Sequence, residues 1–305
     1  MRYVLGFDGG GTKTECVLMD ETGHVLSQSR GGPSNPNRVG FGGATVSVCD
    51  AGYLAVSKAD VSIDDIKALC AGLAGTAHPE SAVKMKRLLE EEFSGRAVRV
   101  CTDLDLTLES AGTEAAIVLI AGTGSAAVGR DAQGKTGRVG GHGYLLGDEG
   151  SAYHVGQRTV REALRHFERT GKDTALGKRI LVETGEPSWP ELQSRINAAP
   201  DEIFPRLFPI VLGAAESGDA SARAVLHECA AALGELVSDL AERLRLQSEE
   251  VSLAKSGGML GRSAFFDQWV DEQLRKAVPF AQFGALQMTP AEAAARMALR
   301  LLAPA

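Results

Sequence analysis

The residues that could do chemistry fall in three glycine-rich segments and one acidic pair. Phe7-Asp8-Gly9-Gly10-Gly11-Thr12-Lys13-Thr14 lies between two strand-like runs. Consecutive glycines let backbone amides approach an anion, Thr12 adds a hydroxyl and Lys13 a cation, and Asp8 at a strand end can hold Mg2+ through water. Gly10, Gly11, Thr12 and Lys13 therefore read as phosphate contacts and Asp8 as a metal anchor. The alternative is a plain hairpin turn, which needs two such residues rather than three glycines with Thr and Lys. Ala121-Gly122-Thr123-Gly124-Ser125 repeats the arrangement between two further apolar runs. Two equivalent loops can grip one polyphosphate from both sides of a cleft.

Thr102-Asp103-Leu104-Asp105 closes another strand-like run. A phosphoryl acceptor needs a group to receive its hydroxyl proton, and Asp does this in other kinases. In an extended chain Asp103 and Asp105 share a face, whereas in a helix they diverge by about 200°. Asp103, nearer the strand end, is the expected base, and Asp105 the stabiliser of a first helical turn. In the alternative, both only cap a helix at 106–110. The third cluster, Gly140-Gly141-His142-Gly143-Tyr144-Leu145-Leu146-Gly147-Asp148-Glu149-Gly150-Ser151, can shape a pocket for a small polar ligand. Here the alternative is that Asp148 and Ser151 act as N-caps alone. His142 has no Cys or His at ligand spacing and is a poor metal ligand. The remaining histidines receive no role. Lys255-Ser256-Gly257-Gly258 follows a strand, where a flat base and ribose could lie against backbone; a strand-to-helix turn is the other reading.

These segments need a scaffold, and the hydrophobic pattern supplies one. Strands are predicted at 2–7, 14–19 and 24–29, then a loop over 31–43, a helix to about 57, a strand at 66–72, a helix at 80–93 and a strand at 97–101. A second set of three strands follows at 115–120, 125–130 and 134–140, then a helix at 151–169. Residues 174–246 read as mostly helical, 251–254 as a strand and 291–302 as a terminal helix. Two copies of a three-strand meander leading into alternating elements imply a duplicated α/β unit.

The bulk numbers fit. Thirty-six of 305 residues are glycine, about 12% against a usual 7% or so, and the length suggests two domains. An apolar share of 44% with 23% charged residues is ample for a core. The net charge of -7 argues against nucleic acid as a partner. No run approaches 18 apolar residues, so no membrane span is expected, and the first residues lack a signal-peptide pattern. Cysteines 16, 49, 70, 101 and 229 are too far apart in sequence for a CxxC motif. They read as reduced thiols, which places the chain in the cytoplasm.

The ordered set FDGGGTKT, SNPN, TD, AGTGS, GGHGYLLGDEGSA and SGGML resembles the N-acetylglucosamine kinase branch of the BadF/BadG/BcrA/BcrD ATPase family, within the sugar kinase, heat-shock chaperone and actin superfamily. The resemblance runs from residue 3 to about residue 300. It implies an α/β fold of two ribonuclease-H-like (actin-like ATPase) domains with a central cleft, residues 1–110 plus about 290–305 forming one and 111–289, with a helical insertion, the other. It also implies ATP and Mg2+ as cofactors, closure on the sugar, and a homodimer. Residue by residue it supports Asp103 as catalytic base and sugar contact, and Thr12 and Thr123, with Gly122, at phosphate. It puts Asn35 on a sugar hydroxyl, Ser125, Gly141, His142, Gly143 and Asp148 around the sugar, and Gly257 and Gly258 under the adenosine. Two positions depart from the branch: His142 stands where Trp is usual, and Ala126 where a polar residue can assist. The expected activity is phosphorylation of an amino sugar, N-acetylglucosamine at O6 first, with glucosamine or N-acetylmuramic acid as alternatives. Rivals are an ATPase activator of a CoA dehydratase or reductase, which would need closely placed cysteines, and a non-catalytic sugar sensor.

Overall fold

The computed structural model describes residues 1–112 and 114–302. The chain divides into two compact units, Met1–Thr113 with Leu286–Ala305, and Glu114–Ala285. In chain order the first holds β1 (Tyr3–Gly9), β2 (Thr14–Asp20), β3 (Val25–Gly31), α1 (Pro36–Lys58), β4 (Ile66–Leu73), α2 (Pro79–Glu92), β5 (Ala97–Cys101) and α3 (Asp103–Ser110). The second holds β6 (Ala116–Ala121), β7 (Ser125–Arg130), β8 (Thr136–Gly140), α4 (Ala152–Thr170), α5 (Ala175–Thr184), α6 (Trp189–Ala198), α7 (Pro200–Ile203), α8 (Phe208–Glu216), α9 (Ala220–Leu244), β9 (Ser252–Ser256), α10 (Ala264–Ala277) and β10 (Gln282–Gly284). The last helix, α11 (Pro290–Arg300), returns to the first unit.

The two sheets share one plan. The first has strand order β3-β2-β1-β4-β5 and the second β8-β7-β6-β9-β10. In each, three strands form an antiparallel meander, a fourth pairs in parallel with the meander's first strand, and a fifth pairs in parallel with the fourth. This repeat is the α/β duplication expected from the paired meanders. The central strands β1 and β6 are nearly continuous apolar runs because both of their faces are covered.

In the first unit Leu5 and Phe7 join Ala44, Val48, Ala51 and Ala55 of α1 in one core layer. Val4 joins Ala291, Ala294, Ala295 and Ala298 of α11 in another. Gly6 sets the second contact, since a Cβ there would overlap the backbone of Ala291 and Ala295. A row of alanines facing a strand glycine lets helix and sheet backbones approach closely. α1 is long and apolar enough to cross a membrane by length and composition, yet its buried side packs on the sheet. α1 also begins earlier than its composition suggests. Asn35 caps it and Pro36 opens it, but Gly40 sits at φ 71° and interrupts the helical backbone, so the glycines at 40, 42 and 43 read locally as loop.

In the second unit α9 lies along the sheet with Leu233, Leu236, Val237, Leu240 and Leu244 buried. Gly129 and Gly137 of β7 and β8 face Leu240 and Leu244, so small sheet residues admit the large helix ones. Ser151, Thr174 and Asp219 cap α4, α5 and α9 through their side chains, and left-handed Gly171 and Gly185 end α4 and α5. β10 has only three residues, which left no readable alternation.

Candidate functional site

In the first unit, sequence-distant groups meet at the C-terminal ends of the parallel strands, the usual place for ligands in such sheets. Asp8, Gly72 and Cys101 lie on one row across β1, β4 and β5. Beyond that row Ala74 N–H donates to Gly9 O at 2.8 Å, and Thr76 Oγ1 donates to Cys101 O at 2.9 Å. These bonds tie the three strand ends together. Asp103 is the first residue of α3, two residues past the end of β5. Thr102 caps that helix, and the Asp105 carboxylate accepts from Thr102 N–H and Oγ1 at 2.9 and 2.8 Å. Asp105 is thus committed to a capping box.

Asp8 is pushed up to about 6, first by burial, then by the negative charges of Asp103 and Glu15, with Lys13 opposing them. Asp8 and Asp103 therefore form an interacting carboxylate pair.

The loop from Gly9 to Thr14 is closed by Gly10 N–H donating to Lys13 O at 2.9 Å, and Thr12 stands exposed at its tip. Around Gly10 a Cβ would meet only Lys13 O, at 3.9 Å, while at Gly11 it would press on the Arg38 side chain. The Lys13 ammonium pairs with the Glu15 carboxylate. Ser34 and Asn35 both donate their N–H to Gly10 O, at 3.0 and 3.2 Å, which brings the SNPN segment beside the loop. Asn35 Oδ1 accepts from Asn37 N–H at 2.9 Å. Gly75, at φ 88°, leaves room for it, because a Cβ there would collide with the Asn35 amide.

The second unit gathers its own set. Gly122 N–H donates to Gly124 O at 2.9 Å, leaving Thr123 exposed at the tip as Thr12 is in the first unit. Ala152 N–H of α4 donates to Gly122 O at 2.9 Å, so the start of α4 supports the loop. Gly258 N is 3.6 Å from where a Gly122 Cβ would lie, and Met259 N–H donates to Ala121 O at 3.1 Å. Gly257, at φ 108°, would strike the Ala121 backbone with any side chain. The AGTGS loop and the SGGML turn are therefore one backbone platform.

Asp148 reaches that platform from the third glycine segment. Its Oδ1 accepts from Ser125 N–H at 3.2 Å, and Ser125 Oγ donates to Glu149 O at 2.6 Å. A Cβ on Gly124 would sit 2.8 to 2.9 Å from the Asp148 carboxylate. Asp148 is buried in a left-handed conformation at φ 63°. Burial raises its pKa most, Glu149 adds to that, and the Ser125 amide and His142 oppose it. Gly141 N–H donates to Ser125 O at 2.9 Å, whereas His142 and Gly143 are exposed. Sequence reasoning gave His154 no role, yet its Nδ1 accepts from Gly150 N–H at 2.8 Å. Its signal was its place three residues after the capping Ser151, where capping boxes put a side-chain acceptor.

Two thiols separated by 31 positions, Cys70 and Cys101, approach to 4.0 Å. Cys70 is fully buried and Cys101 half-buried in the layer between the sheet and α11. Among the described residues no three His, Cys, Asp or Glu side chains are grouped as a ready-made metal cage.

The chain is similar to several known proteins. A kinase for N-acetylmuramic acid and N-acetylglucosamine from Clostridium acetobutylicum is 30% identical over 265 residues, covering 85% of this chain and 86% of its own. The N-acetyl-D-glucosamine kinase of Dictyostelium discoideum is 28% identical over 316 residues, with 97% of each chain covered. The crystal structure assigned as an N-acetylglucosamine kinase from Chromobacterium violaceum superposes with a TM-score of 0.78 at 26% identity over 99% of each chain. A glucokinase of the ROK family from Streptomyces griseus, at 20% identity and a TM-score of 0.59, shares the fold. The family model for the BadF/BadG/BcrA/BcrD ATPases matches residues 5–298, and the chain belongs to that family.

Proposed function

We propose that this protein is an ATP-dependent amino-sugar kinase that transfers the γ-phosphate of ATP to O6 of N-acetylglucosamine. The observation that carries the chemistry is the pair formed by Asp8 near the end of β1 and Asp103 at the start of α3, in which the charge of Asp103 raises Asp8. Two neighbouring carboxylates with different surroundings suit two tasks: one holds a cation and the other receives a proton. Asp103 is assigned as the base that orients the acceptor hydroxyl and takes its proton.

Asp8 is assigned to Mg2+. That ion keeps most of its waters and takes one or two carboxylates alongside phosphate oxygens, so a single half-buried carboxylate beside a glycine loop fits it without a larger cage. When bound, Mg2+ offsets charge on the phosphates. Gly10, Gly11 and Thr12 in the first unit and Gly122 and Thr123 in the second are assigned to phosphate. Lys13 joins them only by releasing Glu15. Gly257 and Gly258 are assigned to the nucleoside. Asn35, Ser125, Gly141, His142, Gly143 and Asp148 are assigned to the sugar. N-acetylglucosamine is named for both relatives that match most of the chain, N-acetylmuramic acid for the Clostridium one as well, and glucosamine for a Vibrio cholerae relative 30% identical over 54% of the chain. A homodimer is part of the same reading, and light scattering tests it.

A coupled ADP-release assay over a panel of amino sugars and hexoses tests the function. Asp103→Asn should lower kcat by about 10²- to 10⁴-fold, the range for a lost general base, while leaving the fold and ADP binding intact. Near-normal turnover in that variant overturns the assignment. Sugar-independent ADP release would instead favour the activator reading, and sugar binding without any ADP release the sensor reading.

A further inference from the structure

The segment that carries Asp148 is pinned at two ends. On one side Asp148 Oδ1 and Glu149 O meet Ser125. On the other, Gly150 N–H donates to Nδ1 of His154 at 2.8 Å. Gly150 has φ 77°, and a Cβ would lie 2.6 Å from the Leu233 side chain and 2.7 Å from Cys229 O. The turn therefore fits closely against α9, and its orientation depends on where the Gly150 amide points. His154 is the third residue of α4, where Glu or Gln usually reaches back to a free amide. Its own N–H goes to the capping Ser151 Oγ at 3.2 Å.

We infer that His154 is a positioning residue: in its neutral Nε2–H form it holds the Gly150 amide, and through the Gly147–Ser151 turn it sets the Asp148 carboxylate against Gly124 and Ser125. The inference rests on the assignment of Asp148 to the sugar. An imidazolium has no acceptor at Nδ1, and a positive charge at a helix start opposes the dipole. Protonation therefore releases the turn. The groups facing the ring are Cys229, with Sγ 4.0 Å from Nδ1, and Glu228 from α9, Arg158 and Arg161 from α4, and Glu149 from the turn. Burial holds the imidazole below its ordinary value, with the arginines adding to this and the two glutamates opposing. Protonation thus sets in below the ordinary histidine range, and the bond is intact above it.

The test follows the sugar and the imidazole separately in the whole protein. His154→Ala at pH 8 should raise the KM for N-acetylglucosamine about tenfold, the worth of one lost hydrogen bond, with kcat and the KM for ATP within about threefold. His154→Gln, whose amide oxygen can accept but does not titrate, should keep KM near wild type. It should also lessen the rise in sugar KM expected of wild type as pH falls below the ordinary histidine range. Long-range 1H–15N imidazole spectra at pH 8 should show Nδ1 unprotonated in wild type. A protonated Nδ1, or a rise in sugar KM on acidification as steep in His154→Gln as in wild type, overturns the proposal. So does an unchanged sugar KM in His154→Ala while Asp148→Asn raises it. If neither His154→Ala nor Asp148→Asn moves the sugar KM, the assignment of Asp148 to the sugar fails, and the inference fails with it.

Discussion

Gly124→Ala separates fold from sugar binding at the Asp148 platform. Gly124 has no left-handed backbone requirement, so alanine is allowed there, but the new methyl would sit 2.8 to 2.9 Å from three atoms of the Asp148 carboxyl group. Those atoms are the end of a side chain, which can rotate away. The stability loss is then the single bond from Ser125 N–H, worth about 1 kcal/mol. In a domain of this size that is about 2 to 4 °C in Tm. The displaced carboxylate no longer faces the proposed sugar site. A lost hydrogen bond between a charged group and a ligand costs about 1.5 to 3 kcal/mol, so the sugar KM should rise about 10- to 150-fold while the KM for ATP changes little. Thermal unfolding and the ADP-release assay measure the two effects on one preparation. A sugar KM unchanged at unchanged Tm refutes the placement of Asp148 at the sugar. A Tm drop beyond about 10 °C refutes the argument that the side chain can yield.

Two further outcomes are expected. Asp8 has a folded pKa raised from 3.8 to about 6, so the folded state binds more protons than the unfolded between those values, and stability falls as pH rises through that window, by on the order of 3 kcal/mol. Added Mg2+ should raise Tm more at pH 8 than at pH 5, and an equal gain at both values would remove Asp8 from the cation site. Gly6→Ala should cost at least 2 kcal/mol or so, because its Cβ would strike α11 backbone that has no freedom to rotate aside. Urea denaturation measures this, and a loss under about 0.5 kcal/mol would mean that α11 shifts at little cost.

The meanders were legible because each hairpin turns at a glycine, and parallel pairing was expected from the alternation of strands and helices after them. Asp105 was readable as a helix stabiliser because a helix that starts within a few residues of a strand end leaves few tasks for its second acid. Asp103 was placed at a strand end rather than on α3 because Thr102, its cap, also suits a strand. The link from Ser125 to Asp148 spans 23 positions, and that from Cys70 to Cys101 spans 31. Neither leaves a local trace, since both depend on how elements pack. His154 was overlooked because a histidine at the third helical position is an unusual stand-in for Glu or Gln.

The seat of α11 on β1 also bears on synthesis. The second unit is one continuous stretch, Glu114–Ala285, while the first needs residues from both sides of it. On the ribosome, the apolar face formed by Val4, Val17, Met19, Ala68 and Cys70 waits for α11 until the second unit has been made. A nascent chain halted near residue 285 therefore carries a finished second unit and a first sheet open on one side, the kind of exposed surface that chaperones shield. Closing the first unit therefore waits for the second, and the small side chains of α11 are what let it dock on a sheet already formed.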